Sequence, residues 1–497
     1  MKTDKAKINR LHTGVPGLDE VLGGGLPEFS FNLIAGSPGC GKTTLANQIM
    51  FARATPERSA LYFTVLGEPS LKMLRYQQQY DFFDSEKVNR AIRFVNLSED
   101  MATGDLEKVL ARIVGEVETH EPALVFVDSF RAVVRASQRD GGSHRELEDF
   151  VQQLGTLMTT WQATTFLLGD YSTEGEANSN PIFTIADGLI LLRQSVQRNS
   201  VVRKLEVTKM RGQPTLAGIH TFRITDAGIS VIAPVQFDVP AESGAGMPDP
   251  PRAELGVRGL DAMMGGGLPR GYSLLVAGPS GSGKSILASA FLAEGARLGE
   301  TGIIAAFEQR PTQSRGPVMA ELIESGRVGV VNTRVPGISI DEIAILIIRE
   351  IQRLKATRVV IDSLSGCELA LAPTFREDFR ESMARMVSAL ASTGVTVLMT
   401  SELEDRYVDL RFSPYGTAFL TDAIIVQRYI EIDSHLRRVM AVVKVRNSAH
   451  SNQLHLFHID ADGIQIDEML INRDGILSGQ PTRVPGLSGR HIDADDH

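Results

Sequence analysis

Short apolar runs alternate with amphipathic segments along most of the chain. In the first half the runs read FNLIAG, ALYFTV, IRFVNL, ALVFVD, TTFLLG and GLILLR, and in the second half SLLVAG, GIIAAFE, VGVVNT, RVVIDS, VTVLMT and AIIVQR. The stretches between them include Asp341–Lys355, where apolar residues recur at helical spacing. Strands that are buried on both faces and separated by helices predict a mostly parallel sheet with helices on both faces. Each half then ends in alternating segments, KLEVTKMR with HTFRIT and MAVVKVR with LHLFHI, which predict antiparallel strands.

An internal duplication divides the chain into two halves. TGVPGLDEVLGGGLPEFSFNLIAGSPGCGKT (Thr13–Thr43) aligns without a gap with LGVRGLDAMMGGGLPRGYSLLVAGPSGSGKS (Leu255–Ser285), and 16 of the 31 positions are identical. The offset of 242 residues (278 - 36) is the size of a domain rather than of a solenoid repeat. Between the halves, Ala233–Glu254 holds five prolines and no apolar periodicity, which is typical of a linker. We predict a first domain over 1–235, a linker over 236–253, a second domain over 254–475 and a tail over 476–497.

Composition and charge narrow the class of protein. Of the 497 residues, 43% are hydrophobic and 22% are charged, as in a globular protein with a sizeable core. The net charge of -9 argues against a dedicated nucleic-acid binder, which usually carries a basic domain, although a local basic channel stays open. The charged start MKTDKAKINR and the lack of a long apolar run predict a cytoplasmic location and no membrane partner. Cys40 and Cys367 lack the CxxC spacing of a zinc site and are expected to be reduced, structural thiols.

Two glycine-rich loops carry the clearest chemistry in the sequence. GSPGCGKTT (Gly36–Thr44) and GPSGSGKSI (Gly278–Ile286) fit the pattern of a phosphate-binding loop, or P-loop, and each follows an apolar run and opens a helical one. In such a loop the backbone N–H groups and the helix N-terminus cradle phosphates, so we expect ATP with Mg²⁺ at both. The candidate binding residues are Gly36, Ser37, Gly39, Cys40, Gly41, Lys42, Thr43 and Thr44 in the first loop, and Gly278, Ser280, Gly281, Ser282, Gly283, Lys284, Ser285 and Ile286 in the second.

The residues around each loop predict a magnesium site. Lys42 and Lys284 are expected to neutralise the β- and γ-phosphates, and the Thr43 and Ser285 hydroxyls to reach Mg²⁺. The second element of such a site is an Asp at the end of a buried strand. Asp128 in ALVFVDS and Asp362 in RVVIDS both fit that description. A plainer interpretation, a cap for the following helix, remains open for both aspartates.

Hydrolysis also requires a group that orients or deprotonates the attacking water, usually a carboxylate at a neighbouring strand end. In the second half IIAAFEQRP places Glu308 there, whereas in the first half YFTVLGEPS offers only Glu68, displaced to just before Pro69. A solvated surface glutamate is the alternative for both residues. We therefore predict that the two sites turn over ATP at different rates.

The tandem GVxGLDxxxGGGLP leaders, the paired P-loops and the ending GILSGQPTR give the chain a family resemblance. Over almost its whole length it resembles the KaiC-like branch of the RecA superfamily, the two-lobed ATPases of the circadian clock. The resemblance implies an α/β fold of two tandem RecA-like P-loop NTPase domains. It also implies a homohexamer of stacked rings with ATP bound between adjacent subunits.

The resemblance assigns further residues. Members of the family carry a Glu-Glu pair after the second core strand of each lobe, and here the second lobe reads Glu308-Gln309 while the first needs a shift in register to reach Glu68. The family also has a Lys-x-Arg element that touches the γ-phosphate of the neighbouring subunit. Its matches are Lys209 with Arg211 and Lys444 with Arg446. Alternating basic residues on a strand are otherwise usually a solvated face.

The chain departs from the family at the autophosphorylation site. The Ser-Thr pair that clock proteins carry there is replaced by Ala418-Phe419, and neither side chain has a hydroxyl. Thr417, Ser413 or Thr421 could substitute only with a different geometry, and a near-attack placement tolerates little error. Dual-site clock phosphorylation is therefore not expected, although serine/threonine autokinase activity of the second lobe stays an added hypothesis.

Three functions are consistent with these features. The first is a KaiC-like, ATP-hydrolysing hexameric signalling protein. The second is a DNA-dependent recombinase or helicase relative, which the acidic balance and the absence of a basic, aromatic-interleaved stretch disfavour. The third is an ATP-gated interaction scaffold in which slow hydrolysis in the first lobe times the binding of a KaiB-like partner.

Overall fold

Two nine-stranded sheets form the framework of the chain, one in each of two units that comprise Met1–Pro234 and Val235–His497. The computed structural model describes residues 8–65, 70–102, 105–130, 132–133, 144–171, 181–197, 200–233, 251–307, 316–333, 338–371, 379–403, 420–432, 434–469, 473–474 and 482–483. The predicted linker therefore lies outside the described residues except for its end, where Arg252–Ala253 forms a short strand.

The first unit contains eleven described strands and seven described α-helices, with a 3-10 turn at Ser85–Lys87. The strands are β1 (Arg10–Leu11), β2 (Leu26–Pro27), β3 (Phe31–Gly36), β4 (Ala60–Thr64), β5 (Ile92–Asn96), β6 (Leu124–Asp128), β7 (Thr164–Asp170), β8 (Gly188–Gln197), β9 (Ser200–Met210), β10 (Ile219–Thr225) and β11 (Gly228–Ile232). The helices are α1 (Leu18–Val21), α2 (Lys42–Arg53), α3 (Ser70–Gln77), α4 (Ser98–Ala102), α5 (Leu106–His120), α6 (His144–Thr160) and α7 (Ile182–Ile185).

The second unit repeats this succession. Its strands are β12 (Arg252–Ala253), β13 (Leu268–Pro269), β14 (Ser273–Gly278), β15 (Gly302–Ala306), β16 (Val328–Val331), β17 (Arg358–Asp362), β18 (Thr396–Glu402), β19 (Ala423–Ile432), β20 (His435–Val445), β21 (His455–Asp460), β22 (Gly463–Met469), β23 (Arg473–Asp474) and β24 (Thr482–Arg483). Its described helices are α8 (Arg258–Met263), α9 (Lys284–Arg297), α10 (Gly316–Glu324), α11 (Ile340–Leu354), α12 (Leu364–Ala370) and α13 (Phe379–Ser392).

The two large sheets share one topology. Their strand orders are β5-β4-β6-β7-β3-β8-β9-β10-β11 and β16-β15-β17-β18-β14-β19-β20-β21-β22. In each sheet the first six strands in that order are parallel and the last three are antiparallel. The glycine-rich loop therefore follows a strand that is flanked by parallel neighbours on both sides. Loops at the carboxyl ends of such strands are where α/β sheets bind ligands.

Each parallel sheet is covered on both faces because its strands are apolar on both faces. In β3, Ile34 packs into a core with α2, whereas Leu33 and Ala35 pack into a second core with α5 and α6. The second unit has the same two layers, one against α9 and the other against α11 and α13. Alternate strand residues thus point to opposite helical layers.

The local sequence explains where the amphipathic helices start and stop. The side chain of Ser339 accepts a 3.2 Å hydrogen bond from the backbone N–H of Glu342 and caps α11, which ends at Leu354 and is followed by the C-cap residue Lys355 with φ 54°. The side chain of Asp105 accepts from the N–H groups of Glu107 and Lys108 at the start of α5. Both are side-chain N-caps that satisfy N–H groups with no partner inside the helix.

The predicted fold class, α/β with two tandem RecA-like P-loop NTPase domains and mostly parallel sheets, is confirmed. All twelve apolar runs became strands of the large sheets, and the alternating segments became β9, β10, β20 and β21. The pattern did not reveal β11 and β22, the short strands that complete each antiparallel edge. Among the described residues, no helix has the length and apolar character needed to cross a membrane.

Candidate functional sites at the two glycine-rich loops

Both glycine-rich loops join the central strand of a sheet to the following helix, β3 to α2 and β14 to α9. The last loop residues, Gly41 and Gly283, have φ values of 109° and 107°. A Cβ on either would lie 2.8 Å from the Cδ1 of an isoleucine, Ile224 or Ile459. Only glycine therefore fits this position without strain.

The helices that follow the loops start without a side-chain cap. Gly41 and Gly283 are the N-cap residues, and neither α2 nor α9, both fully described, has a capping side chain or an acidic residue in its first turn. The first N–H groups of these helices have no acceptor within the helix, and the helix dipole adds positive potential there. The arrangement suits an anion at the loop.

Both loop lysines are buried and turn back over their loops. Lys42 Nζ donates to Gly36 O at 3.0 Å and Ser37 O at 2.9 Å, and it forms an ion pair with Asp170 Oδ1 at 2.6 Å. Lys284 Nζ donates to Gly278 O at 2.9 Å and Pro279 O at 2.7 Å. The loop carbonyls thus hold each ammonium group against its own loop.

In the first unit, Asp128 is in direct contact with another predicted site residue, Thr43. Its Oδ2 accepts hydrogen bonds from Thr43 Oγ1 at 2.9 Å and from Tyr62 OH at 2.8 Å. Burial raises the pKa of the Asp128 carboxyl, while the two hydroxyls and Lys42 act in the opposite direction. A buried carboxylate beside a helix hydroxyl provides the hard oxygen donors that Mg²⁺ prefers.

Asp362 occupies the corresponding strand end in the second unit but has a different partner. Its Oδ1 accepts a hydrogen bond from the Thr400 hydroxyl on β18. Tyr62, by contrast, lies on β4, which is the neighbour of β6 on its other side. A hydroxyl thus reaches each aspartate from a different neighbouring strand. The peptide bond that follows each of them is cis.

The Lys-x-Arg elements lie far from the loops of their own units. The backbone N–H of Arg211 donates to Asp187 O, and the N–H of Asp187 donates to the O of Phe31, the first residue of β3. The P-loop begins at Gly36, the sixth residue of that strand, about 16 Å further along at 3.3 Å per residue. In the second unit, Arg446 and Asp422 are linked in the same way to Ser273, the first residue of β14.

Side-chain contacts hold these basic residues near the amino-terminal ends of the parallel strands in each sheet. Lys209 donates to Thr184 O at 2.8 Å, and Arg211 pairs with Asp187 at 3.2 Å. Lys444 donates to Thr421 O at 2.7 Å, and Arg446 pairs with Asp422 at 3.3 Å. Partial burial, reinforced by the adjacent arginine, lowers the pKa of both lysines. Both arginines remain about half exposed, at 59% and 49% of their side chains.

Several predicted residues lie outside the described part of the chain. These are the two candidate acids, Glu68 and Glu308, and the phosphorylation-segment residues Ser413, Thr417, Ala418 and Phe419. Of the three alternative acceptors, Thr421 is described. Its side chain is buried, at 1% exposure.

The fifth position of the two loops is occupied by different residues, Cys40 and Ser282, which make different contacts. Cys40 is buried, its Sγ lies 3.9 Å from Lys42 Nζ, and burial raises its pKa. Ser282 holds the same loop position and donates a 3.0 Å hydrogen bond to Gln427 Oε1. Cys367 is also a buried free thiol, and burial raises its pKa to about 12. Both cysteines are therefore thiols, not thiolates, at neutral pH.

Three contact residues were missed by the sequence analysis: Tyr62, Asp170 and Thr400. Asp170 ends the run TTFLLGD, so the strand-end rule that identified Asp128 would have found it. Tyr62 and Thr400 lie inside apolar runs, and nothing in their spacing marks them as neighbours of an aspartate.

Comparisons with known proteins match almost the whole chain. A model of the KaiC family of ATPases matches residues 11–236 and again 253–470. The chain is 26% identical over 490 residues to the circadian clock oscillator protein KaiC of Picosynechococcus sp., covering 96% of this chain and 93% of that protein. It is 27% identical over 491 residues to the circadian clock oscillator protein KaiC 1 of Synechocystis sp., covering 96% and 92%.

Proposed function

Because the chain belongs to the KaiC family of ATPases, we propose that it binds MgATP at both P-loops and hydrolyses it as a ring-forming signalling protein. One observation carries the proposal. The strand-end aspartate Asp128, 85 residues away in the sequence, comes together in the first unit with the loop lysine Lys42 and the helix hydroxyl of Thr43. The second unit has the same topology and places Lys284, Ser285 and Asp362 on the corresponding elements.

In the proposed binding mode, the backbone N–H groups of each loop and the first turn of α2 or α9 hold the phosphate oxygens. Lys42 and Lys284 exchange a present hydrogen-bond partner for a phosphate oxygen and neutralise its charge. Burial of both lysines strengthens this attraction, because little water competes at these positions.

The residues present fit a magnesium ion. Thr43 with Asp128, and Ser285 with Asp362, would hold it, because hydroxyl and carboxylate oxygens are the donors it prefers. When bound, Mg²⁺ neutralises charge on the β- and γ-phosphates. Tyr62 and Thr400 keep the two carboxylates oriented through their hydroxyl hydrogen bonds.

The attacking water requires a carboxylate, and we assign Glu308 to that role in the second unit and Glu68, with its shifted register, in the first. Glu308 directly follows the described end of the strand segment that begins with β15. The first unit has Leu66-Gly67 at the place of the family's acid pair. Slower hydrolysis in the first unit follows from that difference.

We further propose a homohexamer with ATP between adjacent subunits. Support comes from the distance between each Lys-x-Arg element and the loop of its own unit, since Arg211 lies near the start of β3 and Lys42 beyond its end. An exposed cation at that end of the strand is too far from the loop of its own unit and would serve a loop in another subunit. There Lys209, Arg211, Lys444 and Arg446 would stabilise charge on the transferred phosphoryl group.

A cytoplasmic location, a KaiB-like partner and residual autokinase activity complete the proposal. The chain lacks the family's hydroxyl pair at Ala418-Phe419, and the buried side chain of Thr421 is poorly placed as a substitute acceptor. Intact mass spectrometry after incubation with Mg²⁺ and ATP separates an autokinase from a plain ATPase, because each phosphate transferred raises the chain mass by about 80 Da.

ATP-binding stoichiometry tests the proposed function. We expect two ATP per chain for the wild type, one for Lys42→Ala or Lys284→Ala, and none for the double variant. Lys108→Ala makes the same change on the exposed face of α5 and should bind two. A double variant that still bound two ATP would contradict the proposal.

A further inference from the structure

The ammonium group of Lys42 has three N–H donors and no acceptor. Two of them bind the loop carbonyls of Gly36 and Ser37, at 3.0 and 2.9 Å, and the carboxylate of Asp170 lies 2.6 Å away. The hydrogen-bonding capacity of the lysine is thus fully used. Cys40 Sγ, a weaker acceptor, also lies 3.9 Å from the ammonium nitrogen. A phosphate oxygen can therefore bind this lysine only by replacing one of its present partners.

Asp170 is the replaceable partner among them. Gly36 and Ser37 belong to the backbone of the loop itself, whereas Asp170 is the last residue of β7 and pairs in register with Gly36 across the parallel ladder. The Asp170 side chain is 32% exposed, while Lys42 is 8% exposed, so the carboxylate lies on the open side of the contact. Like a phosphate, it offers anionic oxygens to the ammonium group.

We propose that Asp170 is a built-in competitor of the nucleotide's phosphate for Lys42 and thereby sets the nucleotide affinity of the first P-loop. The inference rests on the proposed function and extends it to a residue outside the P-loop motif. Asp170 is a positioning residue here, because it acts through Lys42.

The competition has two physical parts. Binding of a phosphate oxygen breaks a charge-assisted hydrogen bond, which costs more than breaking a neutral one. The displaced carboxylate then stays close to the phosphate and repels it, since both are negative. ATP adds the charge of its γ-phosphate, so the second part is larger for ATP than for ADP.

Burial is the largest cause of the raised pKa of Asp128, and the charge of Asp170 acts in the same direction. The two carboxylates therefore belong to one charged cluster around Lys42. The second unit places Glu402 beside Gly278 at the same register position. An acid next to the first glycine of the loop thus recurs in both units.

The test uses the full-length chain with Lys284→Ala, so that only the first loop binds nucleotide. Equilibrium dialysis with radiolabelled ATP or ADP, each with excess Mg²⁺, measures Kd with and without Asp170→Asn. We expect Asp170→Asn to tighten ATP binding about fivefold and ADP binding less, the size expected for a partly exposed ion pair. Asp170→Glu keeps the charge and should stay within about twofold of the background.

Glu107→Gln is the matched control, because it removes one charge from the exposed first turn of α5 in the same unit. It should leave both Kd values unchanged. If Asp170→Asn does not fold, Asp170→Ser is measured in its place and interpreted in the same way.

Two results would overturn the inference, and they are distinguishable. ATP binding that is unchanged or weaker in Asp170→Asn rejects the competitor role and leaves the proposed function intact. No saturable ATP binding by the Lys284→Ala background, equal to a Lys42→Ala/Lys284→Ala blank, rejects nucleotide binding at the first loop and the inference with it.

Discussion

Arg211 and Lys42 lie at opposite ends of the same strand, β3. Arg211 is hydrogen-bonded through Asp187 to Phe31, where β3 begins. Lys42 belongs to the glycine-rich loop that starts where β3 ends. The same relationship holds for Arg446 and Lys284 at the two ends of β14. Neither arginine can therefore reach the loop of its own unit. For this reason we propose that each one serves the loop of a neighbouring subunit.

Mixing two defective variants should restore turnover at the first loop. Both variants carry Lys284→Ala, so that only the first loop can turn over ATP. One variant also carries Lys42→Ala, which removes the loop lysine, and the other carries Lys209→Ala/Arg211→Ala, which removes the cations. Each variant alone should be inactive. In rings formed from an equal mixture, about a quarter of the interfaces combine an intact loop with intact cations. Phosphate release should recover to about that fraction of the background rate.

Lys204→Ala removes a charge from the same strand, β9, and serves as the control in that experiment. It should be active by itself. If the two defective chains form mixed rings and no activity returns, the cations do not act across a subunit boundary.

Loss of the Thr43 hydroxyl should impair the first magnesium site. Thr43→Val keeps the size and shape of the side chain but removes the oxygen that now binds Asp128 at 2.9 Å. We expect ATP turnover in the Lys284→Ala background to fall at least about tenfold, with a higher Mg²⁺ requirement, because an oxygen ligand is lost. Thr43→Ser restores the hydroxyl and should restore turnover. Equal losses in both variants would point to packing rather than to metal binding.

Tyr62→Phe tests the support of Asp128. The substitution removes a 2.8 Å hydrogen bond and leaves a buried carboxylate with one hydroxyl fewer. We expect the free energy of unfolding of the first unit to fall by about 1–3 kcal/mol. The only tryptophan of the chain, Trp161, lies in this unit, so its fluorescence in urea reports the transition.

Tyr80→Phe is the comparison for that measurement, because it removes a hydroxyl from a half-buried ring of the same unit. Its unfolding midpoint should change little. A Tyr62→Phe midpoint equal to that of the wild type would show that the hydroxyl does not support the aspartate.

The pH dependence of stability should carry the signature of Asp128. Burial raises its pKa above the ordinary value of 3.8, so the native state holds this proton more tightly than the unfolded chain does. The group's contribution to stability is therefore complete below pH 3.8 and is lost as the pH rises through the higher native pKa. Asp128→Asn does not titrate, so its stability relative to the wild type should increase with pH across that window. A pH-independent difference in Trp161 unfolding midpoints would contradict this.

The sequence predicts most of the fold because strands buried on both faces leave long apolar runs that alternate with amphipathic helices. The duplication then doubles every motif, so Lys42 and Lys284, or Asp128 and Asp362, support one another. Contacts between strands are harder to predict. Tyr62 and Thr400 reach the aspartates from opposite neighbours, and only the strand order determines which residues meet there.

The same limit explains why Asp170 and the position of the Lys-x-Arg elements were not evident. Asp170 is 128 residues from Lys42 in the chain (170 - 42), and the pairing of β3 with β7 brings them together. The basic elements resembled a solvated strand face in the sequence. Their position near the amino-terminal ends of the parallel strands depends on the register of β8, β9 and β3, which the sequence does not reveal.

The most direct test of the account is ATP turnover measured against assembly state. The wild-type chain, incubated with Mg²⁺ and ATP, is separated by size-exclusion chromatography with light scattering, and phosphate release is assayed in each peak. We predict that turnover is confined to a hexameric peak and that Lys209→Ala/Arg211→Ala/Lys444→Ala/Arg446→Ala abolishes it. A monomeric peak that hydrolyses ATP at the full rate per chain would contradict the account.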